Sequence, residues 1–448
     1  MRKDQHGLTL STDSGTAVDA FDRATQSYLK YRTDAGRHLA AALKADPAFA
    51  LGHVMRGYFA MLSYNQANVT TAAEALADAR AHTRRTTTRE AAHIEALSRW
   101  IDGEPDRMLD IWEAIVAEHP HDVLAFRLHH FSAFWMGRPA TMQAAVERVF
   151  PHWSDELPGW GMILACRSFA HEEAGNYGLA EDSGRRAIEV DPGDLWAAHA
   201  VAHVLEMQGR RGEGIDWLKR LESNWAGAAN LKHHLYWHRA MFHLERREIE
   251  QALSLYDNGF RDLNSQLTQA VPDLYIDVQN AASMLFRLER QGVDVGDRWV
   301  ELADKAEARI GDCLSAFTLP HWMMALTATG RFAAAQRMIE AMRAFGRGNG
   351  PNERLVGRVA LPVCEALVAH RAGKHAEALA LLRPVVGDMY LLGGSHAQQD
   401  VLEQLYLDAA LKADSADDVR LILERVAGRH PVPPARRIGW AAAAHCLH

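Results

Sequence analysis

Apolar residues recur at helical spacing along nearly the whole chain, and a glycine interrupts the pattern again and again. Helical stretches lie on both sides of each of these glycines, as expected for a helix–turn–helix unit. Two of the steps, from residue 103 to 137 and from 175 to 209, are 34 residues long. A helix–turn–helix unit of this length is typical of the tetratricopeptide repeat. The interrupting glycines are Gly103, Gly137, Gly175, Gly209, Gly292, Gly330 and Gly373.

Other positions of the repeat agree with this interpretation. After Gly175 the repeat expects a small residue five positions later and a proline seventeen positions later, and the chain has Ala180 and Pro192 there. Pro120 stands at the same distance after Gly103. One unit cannot bury its apolar face alone, whereas stacked units form a superhelix with a concave surface. The sequence therefore predicts an all-α fold, a tetratricopeptide-repeat superhelix (α-solenoid) with a polar concave pocket.

The pattern runs without a clear linker, so we expect a single tetratricopeptide-repeat-like α-solenoid over residues 1–448. Residues 1–14 form a lead-in, and residues 429–448 form a C-terminal tail and short helix. Thr88 is expected to cap one helix. Ser395 and Gln398 have the spacing of a capping box at the start of another.

Charge and composition exclude several classes of protein. The formal net charge is -8, so no basic footprint for nucleic acid or an anionic membrane is expected. No run approaches the ~20 apolar residues of a membrane span, and no signal peptide is visible. The four cysteines lack the spacing of disulfide or zinc motifs. We expect a cytoplasmic protein without nucleic-acid or membrane partners, and a homo-oligomer is compatible with the sequence.

The strongest chemical signal is a polar face on one helix. His199, His203 and Glu206 stand at positions i, i+4 and i+7, so they share that face. In tetratricopeptide repeats these positions of the first helix line the inner groove, while the apolar positions between them pack into the core. The spacing therefore predicts that all three side chains face the concave pocket.

Other first helices carry similar groups, and these should converge with the first three because successive first helices stack side by side. Arg246 and Arg247 stand where a turn glycine is expected, which leaves the register of the helix over residues 234–245 open. The further predicted ligand-binding residues are His93, Glu172, His234, His238, Asp277, His321 and His396.

Three interpretations of these polar groups compete. They could satisfy buried polar contacts, bind a small polar molecule or peptide end, or hold a metal ion through His199, His203 and Glu206. The spacing differs from the His-Glu-x2-His motif of zinc proteases, and nothing in the sequence shows outer groups that would fix the imidazoles. We therefore predict ligand binding and no cofactor, with a divalent metal as the alternative.

Two further functions stay open. An enzyme would use one histidine as a general base oriented by a carboxylate, or metal-assisted hydrolysis, with His199, His203 and Glu206 as the candidate catalytic residues. A protein–protein scaffold would need an open groove without a convergent cluster.

Six strings, in order along the chain, resemble the tetratricopeptide repeat protein 38 family. The resemblance extends from residue 8 to the helix after Gly393 and implies a helical-repeat protein of the cytoplasm, without a settled activity. The strings are LGHVMRGY at 51–58, HAVAHVLEMQGR at 199–210, YWHRAMFHLE at 236–245, VDVGDRW at 293–299, HWMMAL at 321–326 and GSHAQQD at 394–400.

Overall fold

The structure, a computed structural model, describes residues 1–446 and is built from α-helices. The lead-in forms a small antiparallel hairpin of β1 (Arg2–Lys3) and β2 (Thr9–Leu10), with Arg2 opposite Leu10. The all-α tetratricopeptide-type fold predicted from the sequence is confirmed, because the helices that follow are arranged as antiparallel pairs.

The chain divides into two compact units. Unit 1 comprises Met1–Val201 and Arg220–Lys232. Its helices are α1 (Gly15–Leu29), α2 (Ala35–Ala45), α3 (Ala50–Met61), α4 (Val69–Ala81), α5 (Thr88–Ile101), α6 (Pro105–Glu118), α7 (Val123–Trp135), α8 (Pro139–Val149), α9 (Trp160–Glu173) and α10 (Tyr177–Val190).

Unit 2 comprises Ala202–Lys219 and the chain from His233 onward. The boundary between the units falls within α11 (Leu195–Met207), α12 (Arg211–Leu221) and α13 (Leu231–Glu245). The remaining helices are α14 (Ile249–Leu255), α15 (Gln266–Ala270), α16 (Asp277–Arg290), α17 (Arg298–Ala308), α18 (Thr318–Ala328), α19 (Phe332–Phe345), α20 (Pro351–Leu355), α21 (Leu361–Arg371), α22 (His375–Leu382), α23 (His396–Lys412), α24 (Ala416–Arg429) and α25 (Ala441–Cys446).

Helix pairing follows the repeat within each unit. In unit 1, α1 packs on α2, α3 on α4, α5 on α6 and α9 on α10, and the first helices α3 and α5 contact each other. In unit 2, α16 packs on α17, α21 on α22 and α23 on α24. The first helix α16 contacts both α18 and α23. This last contact brings α23, which is distant in sequence, against the wall formed by α16.

Left-handed turns end the first helices of the pairs. All seven interrupting glycines have a positive φ, for example 72° at Gly103 and 70° at Gly330. Each turn places its residue in the left-handed region, where glycine has no Cβ penalty.

The same turn occurs without glycine after α13. Arg247 has φ 62°, its N–H donates to the carbonyl of Leu244, and the next N–H donates to the carbonyl of His243. These two bonds match those that end α5 at Gly103. Arg247 therefore takes the turn position of the repeat, which resolves the register of α13 that the sequence left open.

The N-terminal cap of one helix is the predicted residue, and that of another differs from the prediction by one position. Ser395 and Gln398 form the predicted capping box at α23. At α5 the cap is Thr87, whose side chain forms a capping box with Glu90, so the expectation for Thr88 was one residue late. Among residues 1–446, no helix combines the length and apolarity that a bilayer crossing needs.

Candidate functional site

The predicted site residues divide between the two units. Three of them lie in unit 1, and each is buried there. His93 on α5 has Nε2 3.0 Å from a carboxylate oxygen of Asp122, which also pairs with Arg89. Glu172 is buried on α9. The ring of His199 packs 4.8 Å from that of Trp196 and 5.2 Å from that of Phe169, measured between centroids.

A directed hydrogen-bond chain connects four side chains of unit 2. The Asn280 amide on α16 donates to Nδ1 of His234 over 2.8 Å. His234 can then donate only through Nε2, which lies 3.2 Å from Nε2 of His238. His238 in turn donates from Nδ1 to a carboxylate oxygen of Glu206, 2.9 Å away. Both rings of α13 are thereby fixed in orientation and tautomer.

His203 completes a cluster of three imidazoles. It lies on α11, is 1% exposed, and its ring centroid is 4.5 Å from that of His238 at an interplanar angle of 66°. The three rings of His203, His234 and His238 each offer a nitrogen, and these nitrogens lie within 4.8 Å of one another. The sequence predicted a groove-facing position for His203, whereas the side chain is enclosed, because α13 packs its own histidines against this face of α11.

Burial favours the neutral form of the three imidazoles in this cluster. It lowers the pKa of His238 to about 3 and the pKa values of His203 and His234 well below their usual range. The imidazoles are therefore neutral at physiological pH. Burial also raises the pKa of Glu206 to about 7, although the guanidinium of Arg287 acts in the opposite direction.

Glu206 connects the cluster to a cavity inside unit 2. The cavity has a volume of about 30 Å³. At ~10–15 Å³ for each water, it holds two or three water molecules or the head group of a larger molecule. None of the three clustered histidines lines it. Its walls are formed by Glu206, Met207, Arg211, Met241, Phe242, Glu245, His396, Ala397, Asp400, His430, Val432 and Arg437.

Two of the three carboxylates of the cavity wall are held by guanidinium groups. Glu245 accepts from Arg211 over 2.8 Å. Asp400 accepts from Arg437, from Gln404 over 2.6 Å and from Trp440 over 3.0 Å. Burial alone would raise the pKa of Asp400, but Arg437 and Arg287 lower it to about 2.

Glu206 has no such partner. One of its oxygens accepts from His238, and no donor among residues 1–446 contacts Oε1. Arg287, on α16, donates to the carbonyl of Ala397 over 2.7 Å and to the hydroxyl of Ser283 over 2.7 Å, and it pairs with Asp400 at 3.5 Å. The free oxygen of Glu206 is therefore a polar atom of the wall that is open to a ligand, and Nδ1 of His396 is another without a hydrogen-bond partner.

Two predicted residues of unit 2 lie outside this arrangement, and one lines the cavity. Asp277 accepts from Nδ1 of His233 over 2.7 Å, and His321 donates from Nδ1 to the carbonyl of Phe317 over 2.9 Å. Neither lines the cavity. His396 does, and burial lowers its pKa to about 4.

Sequence reasoning missed part of the wall. Arg211 opens α12, and its position after the turn glycine gave no chemical signal. His430 and Arg437 lie in the tail, more than two hundred positions from α11, and no spacing rule connects the two segments. Trp440, which donates to Asp400, belongs to the same tail.

Comparison with solved structures gives a match at low sequence identity. No protein-family model matches the chain. The chain is similar to the structure titled as a monomeric mutant of IFIT1 with Gppp-AAAA, at 13% sequence identity over 99% of this chain and 97% of that one. The TM-score is 0.40, which is too low to transfer a site.

Proposed function

We propose that this protein binds a small molecule or peptide end through a cationic amine head, held by Glu206 in the cavity of unit 2. The proposal refines the interpretation of the sequence, a small polar ligand in a pocket of histidines and acids. The observation that carries it is the free carboxylate oxygen of Glu206 on the cavity wall.

The charges of the wall support a cation. Three carboxylates, Glu206, Glu245 and Asp400, face two guanidinium groups, Arg211 and Arg437. With all five ionised, the wall carries one negative charge in excess, and the guanidinium of Arg287, outside the wall, lies 3.5 Å from Asp400. Burial raises the pKa of both Glu206 and Glu245, and a bound cation would favour the charged form of Glu206. An ammonium group would donate to the free oxygen of Glu206 and pair with its charge.

The size of the cavity supports a head group rather than a whole large ligand. A volume of about 30 Å³ accommodates an ammonium and its first carbon. Met207, Met241 and Phe242 line the apolar part, against which an attached chain can pack. The remainder of the ligand would extend through the mouth of the cavity.

The experiment compares matched ligands on the whole protein. Thermal shift and calorimetry are measured with short peptides, their N-acetylated forms and simple alkylamines. Binding by the free amine and its loss on acetylation are expected. The variant Glu206→Gln should weaken binding, whereas Arg383→Ala, which removes a half-exposed partner of Asp418, should not. Equal binding of acetylated and free peptides, or a preference for anions, would contradict the proposal.

We also propose, on the ordered strings of the sequence, that the chain is related to the tetratricopeptide repeat protein 38 family and acts in the cytoplasm. Fractionation of the cells that make it tests the location.

Acid–base catalysis at Glu206 is the second candidate function. The carboxylate has a pKa near neutrality and is oriented by His238, which is the arrangement of a general base with a positioning partner. Turnover of an amine-containing ligand during the binding experiment, absent in Glu206→Gln, would distinguish an enzyme from a binder.

A further inference from the structure

We propose that His203, His234 and His238 bind a divalent transition-metal ion within unit 2. Neutral imidazoles are the ligands that zinc, copper, iron and nickel favour over magnesium or calcium. None of its three ligands lines the cavity, and the site shares only the outer group Glu206 with the amine pocket.

Distances support a shared ion. Two nitrogens bound to zinc at ~2.0–2.1 Å in tetrahedral geometry are about 3.3 Å apart. The Nε2 atoms of His234 and His238 are 3.2 Å apart, and a nitrogen of His203 lies within 4.8 Å of both. A small movement of the His203 side chain completes a three-histidine face of the kind found in catalytic zinc sites.

The outer groups also fit, and this changes the conclusion drawn from sequence. The sequence shows no outer group that would hold the imidazole rings in orientation for a metal ion. In the structure Glu206 accepts from Nδ1 of His238, which leaves Nε2 of that ring for the ion. A carboxylate on the far nitrogen of a metal-binding histidine orients the ring and increases its basicity.

Asn280 provides the equivalent outer group for His234. In the ion-free arrangement its amide nitrogen donates to Nδ1 over 2.8 Å. With Nε2 on the metal, the proton moves to Nδ1, and the amide turns its oxygen toward the ring. This turn breaks the long 3.4 Å bond from Gln398 to the Asn280 oxygen. The ion enters without net loss of a proton from the imidazoles.

Burial makes the cluster selective. The three histidines are at most 3% exposed, so hydrated magnesium or calcium, which retain several waters, would have to lose them. The HxxxH spacing on α13 contributes two of the ligands and His203 on α11 contributes the third, so the ligands come from facing helices, as in metal sites of helical bundles.

The test uses untagged full-length protein, treated with chelator and titrated with Zn²⁺. Calorimetry and elemental analysis after dialysis should give about one tightly bound equivalent. His234→Ala and His238→Ala should each abolish that binding. His370→Ala is the matched control, because His370 is also buried in unit 2 but bonds to Asp408. Circular dichroism verifies that each variant is folded.

A second pair of variants tests the outer groups. Glu206→Ala should lower zinc affinity roughly 10–100-fold, whereas Glu245→Ala, which removes a neighbouring wall carboxylate, should not. If a histidine variant fails to fold, visible absorption of Co²⁺ bound to the wild-type protein reports whether nitrogen ligands hold the ion. Absence of stoichiometric binding by the wild type, or binding that His234→Ala and His238→Ala retain, overturns the proposal. The experiment of the preceding subsection measures binding of amines and this one measures binding of Zn²⁺, so the amine proposal and the metal proposal can fail independently.

Discussion

Nδ1 of His238 donates a 2.9 Å hydrogen bond to the carboxylate of Glu206, joining helices α13 and α11. The imidazole is fully buried, whereas the Glu206 side chain is 16% exposed. This single contact connects the buried histidine cluster to the cavity, whose wall includes Glu206.

Glu206→Gln should change how stability depends on pH. Burial raises the pKa of Glu206 to about 7 in the folded protein, so the unfolded chain releases its proton at lower pH than the folded one. The contribution of this group to stability is therefore lost as pH rises from about 4.5 to 7. Between pH 5 and 8 the metal-free wild type should lose about 2 kcal/mol more unfolding free energy than the variant. Denaturant titrations at both pH values measure it, and parallel pH curves would contradict it.

His130→Phe should reduce sensitivity to acid. His130 is fully buried among Phe126, Phe169 and Trp196, and neither ring nitrogen has a hydrogen-bond partner within the described chain. Burial lowers its pKa well below the usual range. The unfolded chain takes up a proton near pH 6.5, whereas the folded one does not, so wild-type stability falls as pH decreases. From pH 7.5 to 5.5 the variant should gain about 1.4 kcal/mol relative to wild type. A constant difference between the two proteins would mean that His130 is protonated in place.

Arg247→Gly should stabilise the protein slightly. Arg247 is exposed and has φ 62°. Glycine removes a left-handed penalty of about 1 kcal/mol but makes the unfolded chain more flexible, so a net gain of about 0.5 kcal/mol is expected. Gly330→Ala is the reverse control. Gly330 has φ 70°, and a Cβ there would meet no atom within 4 Å, so the substitution should lower the free energy of unfolding by about 1 kcal/mol through the backbone conformation alone. Thermal unfolding measures both, and a stabilising Gly330→Ala would contradict the explanation.

Asp122→Ala should strongly destabilise unit 1. Asp122 pairs with Arg89 and His93, and all three are buried. Its loss leaves the guanidinium without its carboxylate, at a cost of about 3–5 kcal/mol. Glu104→Gln removes a partly exposed partner of Arg99 and should cost less than ~1 kcal/mol. Denaturant unfolding of the two variants should separate them clearly, and similar costs would show that burial of the pair has no effect.

The sequence was informative where a residue type is tied to a backbone requirement. Glycines at left-handed turns repeat because few other residues tolerate that conformation, so Gly103 or Gly330 reveals a helix pair. Arg247 adopts the same turn at an energetic cost, so the helix pair at this position cannot be recognised from a glycine. Glu206 could be placed near a cavity from the polar face of α11. His203 could not, because its burial depends on the histidines that α13 packs against it. His430 and Arg437 were missed because their position depends on tertiary folding of the tail.

The tail has a consequence for the order in which the site is made. Synthesis proceeds from the N-terminus, so Glu206 and the histidines of α13 leave the ribosome roughly two hundred residues before Arg437. Until then Asp400 lacks the guanidinium of Arg437 and the Trp440 donor, and only Arg287 is present to stabilise its charge. The wall of the cavity is thus complete only after Arg437 and Trp440 have been synthesised and the tail has folded onto Asp400.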